Sequence, residues 1–424
     1  MKAFVGICVL MGLHVLPEMR DYWSTDKAVG VPFVNNIMTL ARFEAIRKNL
    51  HFSNNWDATP NDRAYKIQAV LDHFNMHFQD AISPSKSHSI DERMIKFKGH
   101  NIMKQYIKNK PSVRWGFKMW VRASAKTGYV FESHLYTGKK PDEFSDSSHT
   151  LGESVVLQLS QNIRDKGCVL AFDNFFSSVP LMEKLHEYGI KSVATIRKNK
   201  KHLPQLKTDA AMKSGETFGT VQSNGKVAFI QWKDRRCVYA VSNYLTPHGA
   251  TSKQRKVKGS AQKAEVDIPI MIAMYNCYMG GVDISDQRKE CYEIDHRSRY
   301  KYYLKLFFDQ TDTAISNAYI VYKQMKDVPS MSSKDFRLKI VHGLVGQFSS
   351  RSKPRFESAK SKKRKLLQPS SNGIPHLPIV KSNRARCTFC SSNENDCRSN
   401  VFCRICDVAL CLNSQRNCYS CYHE

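Results

Sequence analysis

The chain has 424 residues, with 65 Lys and Arg against 38 Asp and Glu, a formal charge of +27. That length implies roughly two to four structural units, and self-repulsion of that size is tolerated when the partner is a polyanion, which makes nucleic acid the first candidate. A basic membrane-surface protein would concentrate its charge on an amphipathic helix or beside a lipid anchor, and no lipidation motif stands at either end, so no membrane partner is expected.

The apolar opening from Met1 to Leu13 has the look of a signal peptide, but no small-x-small cleavage site follows. His14, Pro17, Glu18 and Arg20 come next, and the run is too short to span a bilayer, so a buried helix is expected. Trp23, Phe33, Ile37, Leu40, Phe43, Ile46 and Leu50 recur at three-to-four-residue spacing, and Ile67 to Phe78 continues the helical pattern. After Pro84 the period becomes two. Ile90 to Phe97, Gly116 to Ala123 and Tyr129 to Tyr136 read as strands, with a tight turn at Lys126-Thr127-Gly128 between the last two.

A helix is expected over Glu153 to Arg164, then a short buried strand, Cys168 to Phe172, ending at Asp173. A helix from Pro180 to Tyr188 and a strand from Ser192 to Ile196 follow. Three antiparallel strands and then alternating helix and strand is the order of a ribonuclease H-like fold, an α/β class. Lys198 to about Lys263 is Lys-rich and Gly-punctuated, with strand-like Thr217 to Gln222, Val227 to Trp232 and Cys237 to Val241, and reads as a β insertion. Helical patterning resumes at Ile268, and Arg297 to Met325 carries a broad aromatic and aliphatic face that reads as core packing. From Phe348 to Ser382 the composition is that of a solvated basic linker, in which Lys360, Lys362, Lys363, Arg364 and Lys365 resemble a nuclear localisation patch.

Phosphodiester cleavage by paired divalent ions needs hard oxygen ligands on rigid elements. Asp91, in the first strand of the meander, Asp173, closing the buried fourth strand, and Asp283, after the turn Gly280-Gly281-Val282, fit that need. Asp286 lies three residues on, on the same side of a helix opened by Asp283. Any one aspartate is more often a surface or capping group. Asp173 is the most telling, because an acid at the end of a buried strand is costly to hold unless it binds something.

Ile90-Asp91-Glu92, Phe97-Lys98-Gly99, Tyr106-Ile107-x-Asn109-Lys110-Pro111, Phe172-Asp173-Asn174-Phe175-Phe176-Ser177-Ser178, and Tyr275-Asn276 with Gly280-Gly281-Val282-Asp283-x-x-Asp286-Gln287 resemble the piggyBac transposase family. Arg20-Asp21-Tyr22-Trp23-Ser24 and Arg42-Phe43 near Leu50-His51-Phe52 extend the resemblance over nearly the whole chain. It implies a helical dimerisation and DNA-binding domain in two parts, 1–87 and 293–347, and a ribonuclease H-like core in two parts, 88–199 and 268–292. The core is interrupted by a β insertion at 200–267 and followed by a basic linker at 348–384 and a cysteine-rich finger at 385–424. Matched residue by residue, Asp91, Asp173 and Asp283 fall on the family's catalytic triad and Asp286 on a further acidic position beside its Mg²⁺ or Mn²⁺ ions. The implied reaction is cut-and-paste transposition, through a hairpin at the element end and joining to a TTAA target, by a nuclear homodimer on double-stranded DNA. In the family the apolar helix at Phe4 to Leu13 lies inside the chain, behind a longer acidic region. Here it begins at the initiator methionine, so part of the helical domain is expected to be missing.

Cys387, Cys390, Cys403, Cys406, Cys411, Cys418, Cys421 and His423 supply eight soft ligands, enough for two structural Zn²⁺ ions in a segment too short to build a core. This array resembles the cross-brace finger of piggyBac-like tails, which reads element-end DNA; ring-type ubiquitin ligase modules share that topology. Ser414 stands near the place of a family histidine, and Cys397 is a spare, so the pairing of ligands stays open. The reading is a DNA transposase. The alternative is a domesticated, catalytically inactive DNA-binding or chromatin-associated nuclear protein.

Overall fold

Apolar residues at helical spacing open the chain as α1 (Lys2–Leu13), α2 (Pro32–Ile37), α3 (Leu40–Asn49) and α4 (Gln68–Asp80). Pro32 sits at the start of α2, where its missing N–H costs nothing, and the Thr39 hydroxyl caps α3 by accepting from the Arg42 N–H. The change of period after Pro84 brings β1 (Ser87–Lys96), β2 (Gln105–Tyr106), β3 (Trp115–Ser124) and β4 (Val130–Leu135). Then come α5 (Leu151–Leu159), β5 (Val169–Phe172), α6 (Val179–Glu187) and β6 (Lys191–Thr195). The chain continues as β7 (Thr217–Val221), β8 (Ala228–Lys233), β9 (Cys237–Ser242), β10 (Ala250–Lys256) and β11 (Lys263–Pro269). Four helices follow: α7 (Ile270–Tyr278), α8 (Gly281–Glu290), α9 (Tyr302–Gln324) and α10 (Ser333–Val345).

This computed structural model describes residues 1–59, 62–108, 113–138, 149–256, 263–294, 301–349, 376–392 and 395–423. They form two units, Met1–Ser349 and Ser350–Glu424. The basic run from Lys360 to Lys365 lies outside the described residues, as do Asn109, Lys110 and Pro111.

The first unit is built on a mixed nine-stranded sheet in the order β2-β3-β1-β5-β6-β9-β8-β7, with β4 also paired to β3. β1 and β3 are antiparallel, β1, β5 and β6 are parallel, and β9, β8 and β7 run on antiparallel from β6. Within the expected insertion, β7, β8 and β9 extend the central sheet, while β10 and β11 pair with each other apart from it. One face of the sheet carries α5 and α6, whose Val155, Leu159, Leu181 and Leu185 pack on Ile90, Leu170 and Phe172. The other face is covered by α4, α8 and α9 through Leu71, Phe78, Val282 and Leu306, and by α7 through Met271 and Ile272. α9 also joins a helical core with α1, α3 and α10, around Phe4, Phe43, Phe308 and Val345. There a Cβ on Gly6 would come within 2.9 Å of the Val345 side chain, so α1 and α10 approach as closely as a glycine allows.

Two asparagines close the outer edge of β4. Asn75 accepts from the Ser133 N–H and donates to its carbonyl, both at 2.9 Å, and Asn317 does the same at Val130, at 2.9 and 2.8 Å.

The second unit pairs β12 (Pro378–Arg386) with β13 (Arg398–Cys403), and β14 (Leu412–Asn413) with β15 (Arg416–Asn417), and ends in α11 (Cys418–His423). No described helix is long and apolar enough to cross a membrane.

Candidate metal centres

Side chains alternate along a strand, so register decides which acids meet. Ile90 pairs with Phe172 across β1 and β5, and both belong to the core beneath α5 and α6. The next residues, Asp91 and Asp173, therefore stand side by side on the opposite face, the one covered by α7 and α8. Asp283 lies in the first turn of α8. Asp91 and Asp173 are half-buried and Asp283 is exposed. The half-buried Tyr275 of α7 feels all three: its pKa is pushed up to about 12, chiefly by burial and then by Asp173, Asp91 and Asp283. No three acidic side chains among the described residues bring oxygens within 4.8 Å of one another. A pair of ions about 3.5–4 Å apart asks for carboxylates spread more widely than one ion's shell. The donors are hard oxygens, which suits Mg²⁺ or Mn²⁺ and not a soft-metal site.

Close packing sets the position of α8. A Cβ on Gly281 would meet Ser89 Oγ at 2.5 Å, Ser124 O at 2.6 Å and Ala125 Cα at 3.0 Å, so the helix start lies directly on β1 and the end of β3. Asp286 does not face the other acids unencumbered. Its Oδ1 accepts from Arg93 Nε at 2.5 Å, and Arg93, fully buried, also donates to Ser285 Oγ at 2.7 Å and Thr313 Oγ1 at 3.1 Å. Arg93 projects from β1 on the same face as Asp91, two residues on, and ties α8 to the sheet.

In the second unit, thirteen free cysteines being the count for the whole chain, seven of the eight expected ligands are gathered into two groups. Cys387, Cys390, Cys411 and Cys418 form one, and His376, Cys403, Cys406 and His423 the other. Cys421 is exposed and belongs to neither, and His376 stands in the place given to it. α11 explains this: Cys418 and Tyr422 turn inward while Cys421 points out. His376, between Pro375 and Leu377 in the stretch read as linker, has no neighbouring cysteine to betray it.

Sulfurs on one tetrahedral zinc at about 2.3 Å lie roughly 3.8 Å apart. Cys390 Sγ and Cys411 Sγ are 3.7 Å apart, Cys406 Sγ is 3.7 Å from His423 Nε2, and His376 Nδ1 is 3.3 Å from the sulfurs of both Cys403 and Cys406. Burial would raise the thiol pKa values, yet Cys403 is lowered to about 6 by the N–H groups of Cys406 and Ile405, the Tyr419 hydroxyl and His376. Cys387 is lowered to about 7, its burial outweighed by N–H groups of Cys390, Cys411 and Phe389. In the same two groups burial and the neighbouring thiols raise Cys390, Cys406 and Cys411, so the sulfurs of each group hold their protons jointly. Along the chain the two groups alternate: one ligand, two, two, two and one, so that each set brackets the other.

The mixed sheet bearing acids at adjoining strand positions and the tail of paired soft ligands make two candidate metal centres, one in each unit. Residues 1–319 match the family model described as Transposase IS4, and the chain belongs to that family, within it to the piggyBac type. It is 28% identical over 421 residues to human piggyBac transposable element-derived protein 3, covering 96% of this chain and 68% of that one. It is likewise 28% identical to the human chimeric ERCC6-PGBD3 protein, of which it spans 38%. A cryo-EM structure of a piggyBac transposase synaptic complex with hairpin DNA has the same fold, with a TM-score of 0.70 at 24% identity over 97% of this chain and 85% of that chain.

Proposed function

We propose that this chain is a DNA transposase that cuts and joins double-stranded DNA in a ribonuclease H-like core. Asp91, Asp173 and Asp283 would hold two Mg²⁺ or Mn²⁺ ions, which when bound activate the attacking oxygen and stabilise the leaving oxygen. The observation that carries this is the β1–β5 register, which sets Asp91 beside Asp173 on the face where α8 presents Asp283. The strand order β4-β3-β1-β5-β6, antiparallel then parallel, supports the ribonuclease H-like reading.

Asp286, held by Arg93, secures α8 and has one oxygen fewer to offer a cation. Eight ligands, with His376 replacing Cys421, would bind two Zn²⁺ ions and fold the tail, whose Lys381, Arg384, Arg404 and Arg416 suit phosphate contact. The net charge of +27 supports DNA as partner, as does a cleft of about 330 Å³ lined by Lys48, His51, Lys66 and Lys301. Nuclear action on element ends and a TTAA target by a homodimer belongs to the same reading.

The test is Mg²⁺-dependent nicking and hairpin formation on a labelled element end beside TTAA, comparing the parent with Asp173→Asn. Cleavage by the parent alone supports the proposal. Salt-sensitive binding without cleavage overturns it in favour of a retained DNA-binding protein.

A further inference from the structure

We infer that Thr195 is a positioning residue for the acidic centre, fixing Asp173 so that only its Oδ2 oxygen is offered to a cation. This rests on the metal-nuclease reading above. Thr195 is the last residue of β6, and Ala194 pairs with Phe172, so Thr195 falls beside Asp173 just beyond the paired strands. Its backbone is also in register with Ala240 of β9, which holds it from the other side. A β-branched side chain so placed has little rotamer freedom.

The Thr195 hydroxyl donates to Asp173 Oδ1 at 2.9 Å, and the Asn174 N–H donates to the same oxygen at 2.5 Å. A carboxylate oxygen has two lone-pair sites, and both on Oδ1 are thereby engaged. Asp173 would thus offer one oxygen, Oδ2, in a set orientation.

Partners that orient a ligand typically contribute about 10–100-fold to metal affinity. The experiment is a Mn²⁺ titration of the full, zinc-loaded chain followed by electron paramagnetic resonance, with parent, Asp173→Asn, Thr195→Val and Thr195→Ser. Thr195→Val keeps the shape and removes the hydroxyl; Thr195→Ser keeps the hydroxyl. We expect Asp173-dependent Mn²⁺ binding in the parent, about tenfold weaker binding in Thr195→Val, and recovery in Thr195→Ser to near the parent value. A Thr195→Val chain that binds like the parent overturns the assignment, and so does a Thr195→Ser chain as weak as Thr195→Val, since shape and not the hydroxyl would then matter. A parent with no Asp173-dependent binding overturns the metal reading itself, and this inference with it.

Discussion

Alanine at Gly281 and alanine at Gly280 should have opposite consequences, although the two glycines are adjacent. At Gly281 a Cβ would lie 2.5 Å from Ser89 Oγ, 2.6 Å from Ser124 O and 3.0 Å from Ala125 Cα. Two of those three atoms are backbone and cannot rotate away, so α8 must lift from β1 and β3. Forcing a methyl into a packed interface costs about 1–3 kcal/mol, and rigid neighbours put this case at the upper end. At Gly280 nothing lies within 4 Å of the added carbon, and the backbone, with φ −75° and ψ 2°, is one that alanine accepts. That change should stay within about 0.5 kcal/mol. Equilibrium unfolding in urea, followed by tryptophan fluorescence, reads the first unit alone, because all 5 tryptophans lie before Ser350. The lifted helix carries Asp283, so DNA cleavage should also fall in Gly281→Ala and hold in Gly280→Ala. Equal unfolding midpoints for the two variants would refute the argument that close approach of α8 fixes the acidic centre.

His88 is fully buried and its pKa is lowered to about 3, by burial first and then by Arg122. A depressed folded-state value means that stability present above about pH 6.5 is lost as pH falls toward 3, by about 2 kcal/mol at pH 5. Urea midpoints at pH 7 and pH 5 check this, and His88→Gln should lose less between them. In the tail, His376→Ala should reduce bound zinc from two ions to one or none by mass spectrometry under native conditions, while Cys421→Ser should retain both; the opposite pattern would restore Cys421 as a ligand. DNA affinity should fall steeply between low and moderate salt, and Lys301→Ala should lower the slope of log affinity against log salt by about one unit if the cleft beside Lys48 and Lys66 takes a phosphate.

Local pattern made the elements around the acids readable. The expected strands Ile90 to Phe97 and Gly116 to Ala123 compare with Ser87–Lys96 and Trp115–Ser124, because alternating burial is written in consecutive residues. The buried run before Asp173 is legible for the same reason. Pairing between distant segments is not. Nothing in the Lys-rich stretch from Lys198 says that Thr195 of β6 will meet Ala240 of β9, so the sequence does not tell that β7 to β9 join the main sheet. Arg93 and Asp286 are 193 residues apart, and neither residue's neighbours announce the other. Gly280 and Gly281 read together as a turn, whereas Gly281 is in the helix and is needed for the narrow gap to Ser89. His376 escaped because ligand spacing is a local code and this histidine stands eleven residues before Cys387.

The paired amide bonds of Asn75 and Asn317 make each side chain imitate one residue of an absent neighbouring strand. An exposed strand margin is a template on which another chain can grow, and here its sockets at Val130 and Ser133 are filled from within. Strand addition along β4 would first have to displace both amides, so removing either one, as in Asn75→Ala or Asn317→Ala, would reopen part of that margin.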